Sequence, residues 1–216
     1  MTFNLITLEE TSYLNGLMLQ ENLFNAQLEK KAKAEPTTNY LILLQHQPVY
    51  TLGKSGDIEN LKVPIEKTDA EFFRTNRGGD ITFHGPGQLV GYPIFDLDSI
   101  ELGTKEYVEK LEDCVIECIK GYGLLGTRID GASGVWVDSD SAYPRKICAL
   151  GIKVSRGITM HGFALNINTD LGYFDNIVPC GLDDKAVTSM SKELNKPIDF
   201  WKVQQRLQEI IENKFN

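Results

Sequence analysis

No run of apolar residues in the sequence approaches the ~20 that a helix needs to cross a bilayer, which excludes a helical span. Cysteine is scarce, with four in 216 residues: Cys114-x3-Cys118, then Cys148, then Cys180. Four cysteines at these spacings make no disulfide framework, and without a C-x2-C pair a structural zinc site has no ligand pattern. Positive charge is also short: Lys+Arg 22 against Asp+Glu 30 leaves a net charge of −8. A chain of that sign is not built to hold DNA or RNA by counterion release. Nor does it suit an anionic membrane surface, except through a small local basic patch. The dinucleotide G-x-G-x-x-G and the phosphate-loop G-x-x-x-x-G-K-[ST] are both missing. Met1 to Leu5 carry no basic segment, long apolar stretch or Arg-rich presequence. The expectation is a cytoplasmic protein with no nucleic-acid or membrane partner.

What is present is an ordinary globular balance, 42% hydrophobic and 24% charged, over a length that suits a single domain, 1–216. Phe3–Leu8 reads as a strand. A helix is predicted from Thr11 to about Lys33, with Leu14, Leu17, Met18, Phe24 and Leu28 on its apolar face and Pro36 beyond its end. Asn39–Gln45 is a continuous apolar run, as expected of a buried strand, and His46–Ser55 reads as a loop. Strands at Phe72–Asn76, Ile81–His84 and Gln88–Asp96 surround a glycine cluster. In a second helix, Glu106–Tyr122, three- and four-residue spacing puts Cys114 and Cys118 on the buried stripe, where they read as core thiols. Short strands follow at Thr127–Asp130, Val135–Val137, Lys146–Val154 and Gly162–Asn168. Asp199 caps a last helix whose stripe is Val203, Leu207, Ile210 and Ile211. Runs of strands flanked by three helices predict an α+β or mixed α/β fold, not a regular βαβ alternation.

Two segments can carry chemistry. Arg77 to Gly91 holds five of the nineteen glycines in fifteen residues. Gly78-Gly79 and Gly85-Pro86-Gly87 mark sharp turns around a short strand, with Arg77, Thr82 and His84 as polar groups. The segment reads equally as a tight hairpin or as a loop that cradles a ligand. Alternation along Lys146–Val154 puts Lys146, Cys148, Leu150 and Ile152 on one side. Cys180 lies between Pro179 and Gly181, on a turn that a substrate can approach. The residues by themselves reach as far as a possible Cys nucleophile helped by Lys or His.

Five ordered motifs go further: R-G-G-D-x-T-x-H-G-P-G-Q-L-V-x-Y-P from Arg77, G-V-W-V from Gly134, K-I-x-x-x-G-I-K-V from Lys146, H-G-x-A-L-N from His161 and P-C-G-L from Pro179, after the apolar strand at Asn39. Together they closely resemble the lipoyl(octanoyl) transferase family over about two-thirds of the chain. The resemblance implies a biotin/lipoate protein ligase catalytic-domain fold, with mixed β-sheets flanked by helices. It implies transfer of an octanoyl (or lipoyl) group from acyl carrier protein, with octanoyl-acyl carrier protein as the donor, to a lysine on an acceptor. The acceptors implied are lipoyl domains of 2-oxoacid dehydrogenase complexes and the glycine cleavage H protein. It makes Cys180 the acylated nucleophile and Lys146 its partner, with no metal and no cofactor. The acyl site it implies is Arg77, Gly78, Gly79, Asp80, Ile81, Thr82, Phe83 and His84, with Ala149, Leu150, Gly151, Gly162, Phe163 and Ala164.

Two departures from the family pattern are visible. Phe83 stands where the family more often has Tyr, which would remove a hydroxyl near the acyl group. A polar insertion, Val137–Lys146, lengthens the loop before Lys146. Three other readings compete: an ATP-dependent ligase of the same superfamily, a non-catalytic acyl-binding module, and a metal site from His84, His161 and Cys180. Cys180 between Pro179 and Gly181 argues against the first, and the retained Lys146 and Cys180 against the second. No ligand pair with helix or hairpin spacing supports the third. His84 and His161 could line the site or satisfy buried hydrogen bonds, and His46 reads as structural. An acidic carrier meeting a chain at −8 needs local positive charge, for which Arg74, Arg77, Arg145, Lys146, Lys153 and Arg156 are the candidates.

Overall fold

A computed structural model describes residues 3–178 and 186–215. The chain runs β1 (Phe3–Thr11), α1 (Tyr13–Ala32), β2 (Asn39–His46), β3 (Val49–Leu52), β4 (Glu71–Arg74), β5 (Ile81–His84) and β6 (Gln88–Ile94). It continues with α2 (Thr104–Lys120), β7 (Gly126–Ile129), β8 (Ala132–Val137), β9 (Arg145–Ser155), β10 (Ile158–Asn166), β11 (Ala186–Val187), α3 (Met190–Leu194) and α4 (Phe200–Phe215). The large sheet has the order β1-β2-β6-β10-β9-β8-β7, with β11 beside β9. It is mixed: β1–β2 and β9–β11 are parallel and the other pairs antiparallel. A second sheet, β4-β3-β5, packs its own small core. The fold is the mixed α/β arrangement expected.

Burial follows the pleat. On β2, Leu41 and Leu43 face α2 and α4, while Ile42 and Leu44 face the side of α1. Both faces are covered, which is why Asn39–Gln45 carries no polar alternation. The stripe of α2 is buried through Tyr107, Leu111, Cys114, Val115 and Cys118, and that of α4 through Val203, Leu207, Ile210 and Ile211. Asp199 caps α4 as expected, accepting from the amide of Lys202 at 3.2 Å.

Three expectations change. Val49–Leu52 is a strand, not loop, because it pairs with both β4 and β5. Met190–Leu194 forms an unexpected short helix, capped by the Ser189 hydroxyl. The buried face of α1 is Tyr13, Gly16, Gln20, Phe24 and Gln27, while Leu14 and Met18 are half exposed. Gln20 and Gln27 are drawn inward by backbone amides that need partners, those of His161 and Thr38.

Candidate active site

Between the small sheet and strands β6, β9 and β10 lies a cleft enclosing about 840 Å³ up to its open mouth. One wall is the Arg77–Asp80 loop leading into β5. Its path is fixed by backbone contacts on both sides. The amide of Gly78 donates to the carbonyl of Ile152 at 2.9 Å, and that of Lys54 to the carbonyl of Arg77 at 2.9 Å. Gly151 is glycine for this reason: a Cβ there would sit 2.8 Å from the carbonyl oxygen of Gly78. Arg77 is buried, and its guanidinium ties the loop together. It donates to the carbonyls of Thr51, Gly78 and Asp80 and to the Thr51 hydroxyl at 2.6–2.9 Å.

A polar track runs along the floor. The Thr51 hydroxyl faces His84 Nε2 at 3.4 Å, and His84 Nδ1–H donates to Gln88 Oε1 at 2.7 Å. Gln88 donates to Asn166 Oδ1 at 2.8 Å, and Asn166 to the carbonyl of Thr188 at 3.0 Å. Burial, reinforced by His46 and Arg77, holds His84 down to about 3. Burial, then Arg77 and Lys153, does the same to His161, also to about 3. Both imidazoles are therefore neutral at pH 7. His161 sits at φ 61°, a conformation uncommon for a side chain of this size, and Nε2–H donates to Asn76 Oδ1 at 2.8 Å. His46 is the structural histidine expected, accepting at Nε2 from the hydroxyl of Tyr92 at 2.7 Å.

Of the residues implied, Arg77, Gly79, Asp80, Ile81, Thr82, His84, Lys146, Ala149, Leu150, Gly151, Gly162, Phe163 and Ala164 line this cleft. Gly78 does not line it but anchors the loop to β9. Phe83 is a correction. It is not among the lining residues: its ring stacks on Tyr173 at 4.2 Å and is buried in the core of the small sheet. Cys180 lies outside the described residues. Gln88, Tyr92 and Asn166 also line the cleft, from within the motifs, while Tyr13, Ser133 and Val187 line it and carry no signal of their own. Their orientation is set by packing, not by local pattern.

A further expectation fails. Cys148 does not share a face with Lys146. Trp136 pairs with Lys146 and Val135 with Cys148, so Ile147 is an extra residue in β9. This bulge reverses the alternation and turns Cys148 into the core beneath α2 and α4. There burial pushes its thiol pKa well up. Three of the six basic residues proposed as a patch are also engaged within the protein. Arg77 is buried, Arg145 is paired with Glu193 and Asp138, and Lys153 lies 4.8 Å over Phe24 of α1. Among the described residues no group of three or more His, Cys, Asp or Glu could hold a metal ion, and no helix is long and apolar enough to cross a membrane.

The lipoyl protein ligase A/B catalytic domain family matches residues 12–212. An octanoyltransferase of Christiangramia forsetii is 50% identical over 198 residues, 87% of this chain and 85% of its own length. One from Parabacteroides distasonis is 46% identical over 214 residues, 97% of each chain. The fold is that of the bipartite lipoate protein ligase of Thermoplasma acidophilum, at TM-score 0.69 and 14% identity, with 99% of this chain and 84% of that one covered. Biotin protein ligase from Aquifex aeolicus, in complex with biotin and ATP, is more distant: TM-score 0.57 and 15% identity, covering 98% and 70%.

Proposed function

The chain belongs to the lipoyl protein ligase A/B catalytic domain family, and on that premise we propose that it is an octanoyltransferase working through a thioester on Cys180. The donor is octanoyl-acyl carrier protein. The acceptor is a lysine on lipoyl domains of 2-oxoacid dehydrogenase complexes or on glycine cleavage H protein. The reaction runs in the cytoplasm, where the free thiols of Cys114, Cys118 and Cys148 stay reduced. One observation carries the reading. Lys146 opens onto an apolar-walled cleft, and β11, which begins six residues after Cys180, pairs in parallel with Arg145–Lys146.

The chemistry needs no cofactor. The Cys180 thiolate attacks the carbonyl of the donor thioester, the bond to the carrier thiol breaks, and that thiol leaves with a proton. The neutral amine of the acceptor lysine then attacks the acyl-enzyme. The amide forms, the Cys180 sulfur leaves, and the amine's proton passes to the enzyme. A thiol of ordinary pKa ~8.5 is mostly protonated at pH 7. An ammonium ~4 Å away gains ~4 kcal/mol with the thiolate at an effective dielectric of ~20, before desolvation is subtracted. Lys146 supplies that charge, donates the proton to the leaving carrier thiol and takes one back from the acceptor amine. Leu150, Phe163, Ala164 and Val90 are walls for the acyl chain. Seven buried carbons at ~0.8 kcal/mol each give ~5 kcal/mol, enough to hold the intermediate away from water.

The test is mass spectrometry after mixing with octanoyl-acyl carrier protein without ATP. One octanoyl group, labile to hydroxylamine, is expected on Cys180, and addition of a lipoyl domain should discharge it. A protein that modifies the domain only from free octanoate plus ATP would be a ligase instead.

A further inference from the structure

Resting on that reading, we infer that Trp136 and Gly134 are positioning residues that lay the Lys146 side chain along β8 and aim its ammonium. Lys146 is half-buried and lies opposite Trp136 in the β8–β9 pairing. Its Nζ sits 4.6 Å from the centre of the Trp136 ring. That ring is 2% exposed, and its indole N–H is held by the carbonyl of Ala132 at 3.0 Å, so it cannot turn edge-on without losing that bond. A cation over a dry aromatic face is drawn to the ring quadrupole, and the attraction is stronger out of water.

Gly134 makes room for the stem. It stands at φ 118°, where side chains rarely go. A Cβ there would lie 2.5 Å from the carbonyl oxygen of Cys148 and 3.4–3.5 Å from Cε and Cδ of Lys146. Its amide donates at 2.7 Å to the buried carboxylate of Glu112, which also accepts from Arg128. β8 is therefore pinned from the α2 side while Lys146 runs over its other face. Each residue of the Gly134–Val137 motif then has its place: Gly134 under the stem, Trp136 under the ammonium, and Val135 and Val137 in the core. The bulge at Ile147 makes this possible, since it puts Lys146 on the Trp136 face and leaves Cys148 on the other.

The test removes the ring's electron density without changing its shape. Trp201, half exposed on α4, is first changed by Trp201→Phe, leaving Trp136 as the remaining tryptophan. Mono-, di-, tri- and tetrafluoro-tryptophan are then incorporated at Trp136. The first-order rate of acyl transfer should fall stepwise with each fluorine, about tenfold across the series, at constant KM and constant melting temperature. Trp136→Phe should keep more rate than Trp136→Leu. The Hε protons of Lys146 should be shifted upfield by the ring current in the unmodified protein and return to ordinary values in Trp136→Leu. A rate that does not respond to fluorination, or equal losses in the Phe and Leu variants, would overturn the inference. Lys146→Met separates it from the reading beneath: if that variant transfers normally, the role of Lys146 itself is wrong.

Discussion

Arg145 donates Nε–H and an Nη2–H to the two carboxylate oxygens of Glu193, at 2.9 Å each. This pairing holds Glu193 below the usual carboxylate range. The same Glu193 accepts from the hydroxyl of Thr188 at 2.6 Å, and the amide of Thr188 donates to the carbonyl of Lys146 at 2.9 Å. Arg145 thus clamps the chain that follows Cys180 against the strand of Lys146. It is not a free cation waiting for an acidic carrier. Arg145→Ala should cost about 1–2 kcal/mol of stability, as expected for a partly screened bidentate pair. It should slow transfer by the same factor from carrier-borne and from small octanoyl thioesters. kcat/KM measured with both donors checks this. A loss confined to the carrier-borne donor would restore a docking role.

The three thiols among the described residues are all buried. Cys114, Cys118 and Cys148 are 0% exposed. Burial pushes the first two up to about 12 and Cys148 beyond that range. Treated with iodoacetamide near pH 7.5, the folded protein should take one label, on Cys180, with the other three reacting only after denaturation. Peptide mapping reads the positions. A label or an octanoyl group on Cys148 in the folded protein would remove Cys180 from its proposed role.

The elements that the sequence makes legible are those whose pattern is complete within the element. α2 and α4 repeat at helical spacing, and Ile81–His84 is bounded by turns. Val49–Leu52 is different: four residues gain strand identity only by pairing with segments about twenty and thirty positions away. On α1 the apolar count favours Leu14 and Met18 for the buried face, whereas the amide of His161 needs Gln20 there. In the site, the glycine loop, Lys146 and the Ala149–Gly151 and Gly162–Ala164 segments announce themselves by motif. Tyr13 does not, since an aromatic residue on a helix reads as core. The bulge at Ile147 is invisible in an apolar run, and it takes Cys148 off the face of Lys146.

Phe83 tests the corrected geometry. Its ring is stacked on Tyr173 and meets Phe174 edge-on at 5.7 Å, within the core of the small sheet. Phe83→Tyr should therefore leave the transfer rate and KM within about twofold, less than the loss or gain of one buried hydrogen bond to substrate would produce. Steady-state kinetics with octanoyl-acyl carrier protein decide it. A change of tenfold or more would mean that the hydroxyl reaches the acyl group.

Substitution at Lys146 separates charge from proton transfer. Lys146→Met removes both, and alkylation of Cys180 at pH 7 should slow together with acyl transfer. Lys146→Arg keeps a cation that does not deprotonate. Arg should therefore restore alkylation by more than it restores transfer. Equal recovery of the two would leave Lys146 with an electrostatic role alone.

The three histidines set the response to acid. Burial holds His46 down to about 4 and both His84 and His161 to about 3, while in the unfolded chain each titrates near ~6.5. The folded state thus resists protons that the unfolded state accepts. Their contribution to stability is complete above ~6.5 and is lost as pH falls from there toward 3–4. With all three in play the slope approaches about 4 kcal/mol per pH unit below pH 6, before most carboxylates titrate. Urea midpoints measured from pH 7.5 to 5 should fall steeply below 6.5, with proton uptake on unfolding approaching three per chain. His46→Gln, if it folds, should reduce the uptake by one, since a glutamine cannot titrate. A midpoint that stays level to pH 5 would show that these imidazoles accept protons in the folded protein as they do in the unfolded chain, and the polar track from Thr51 to Asn166 would need to carry charge.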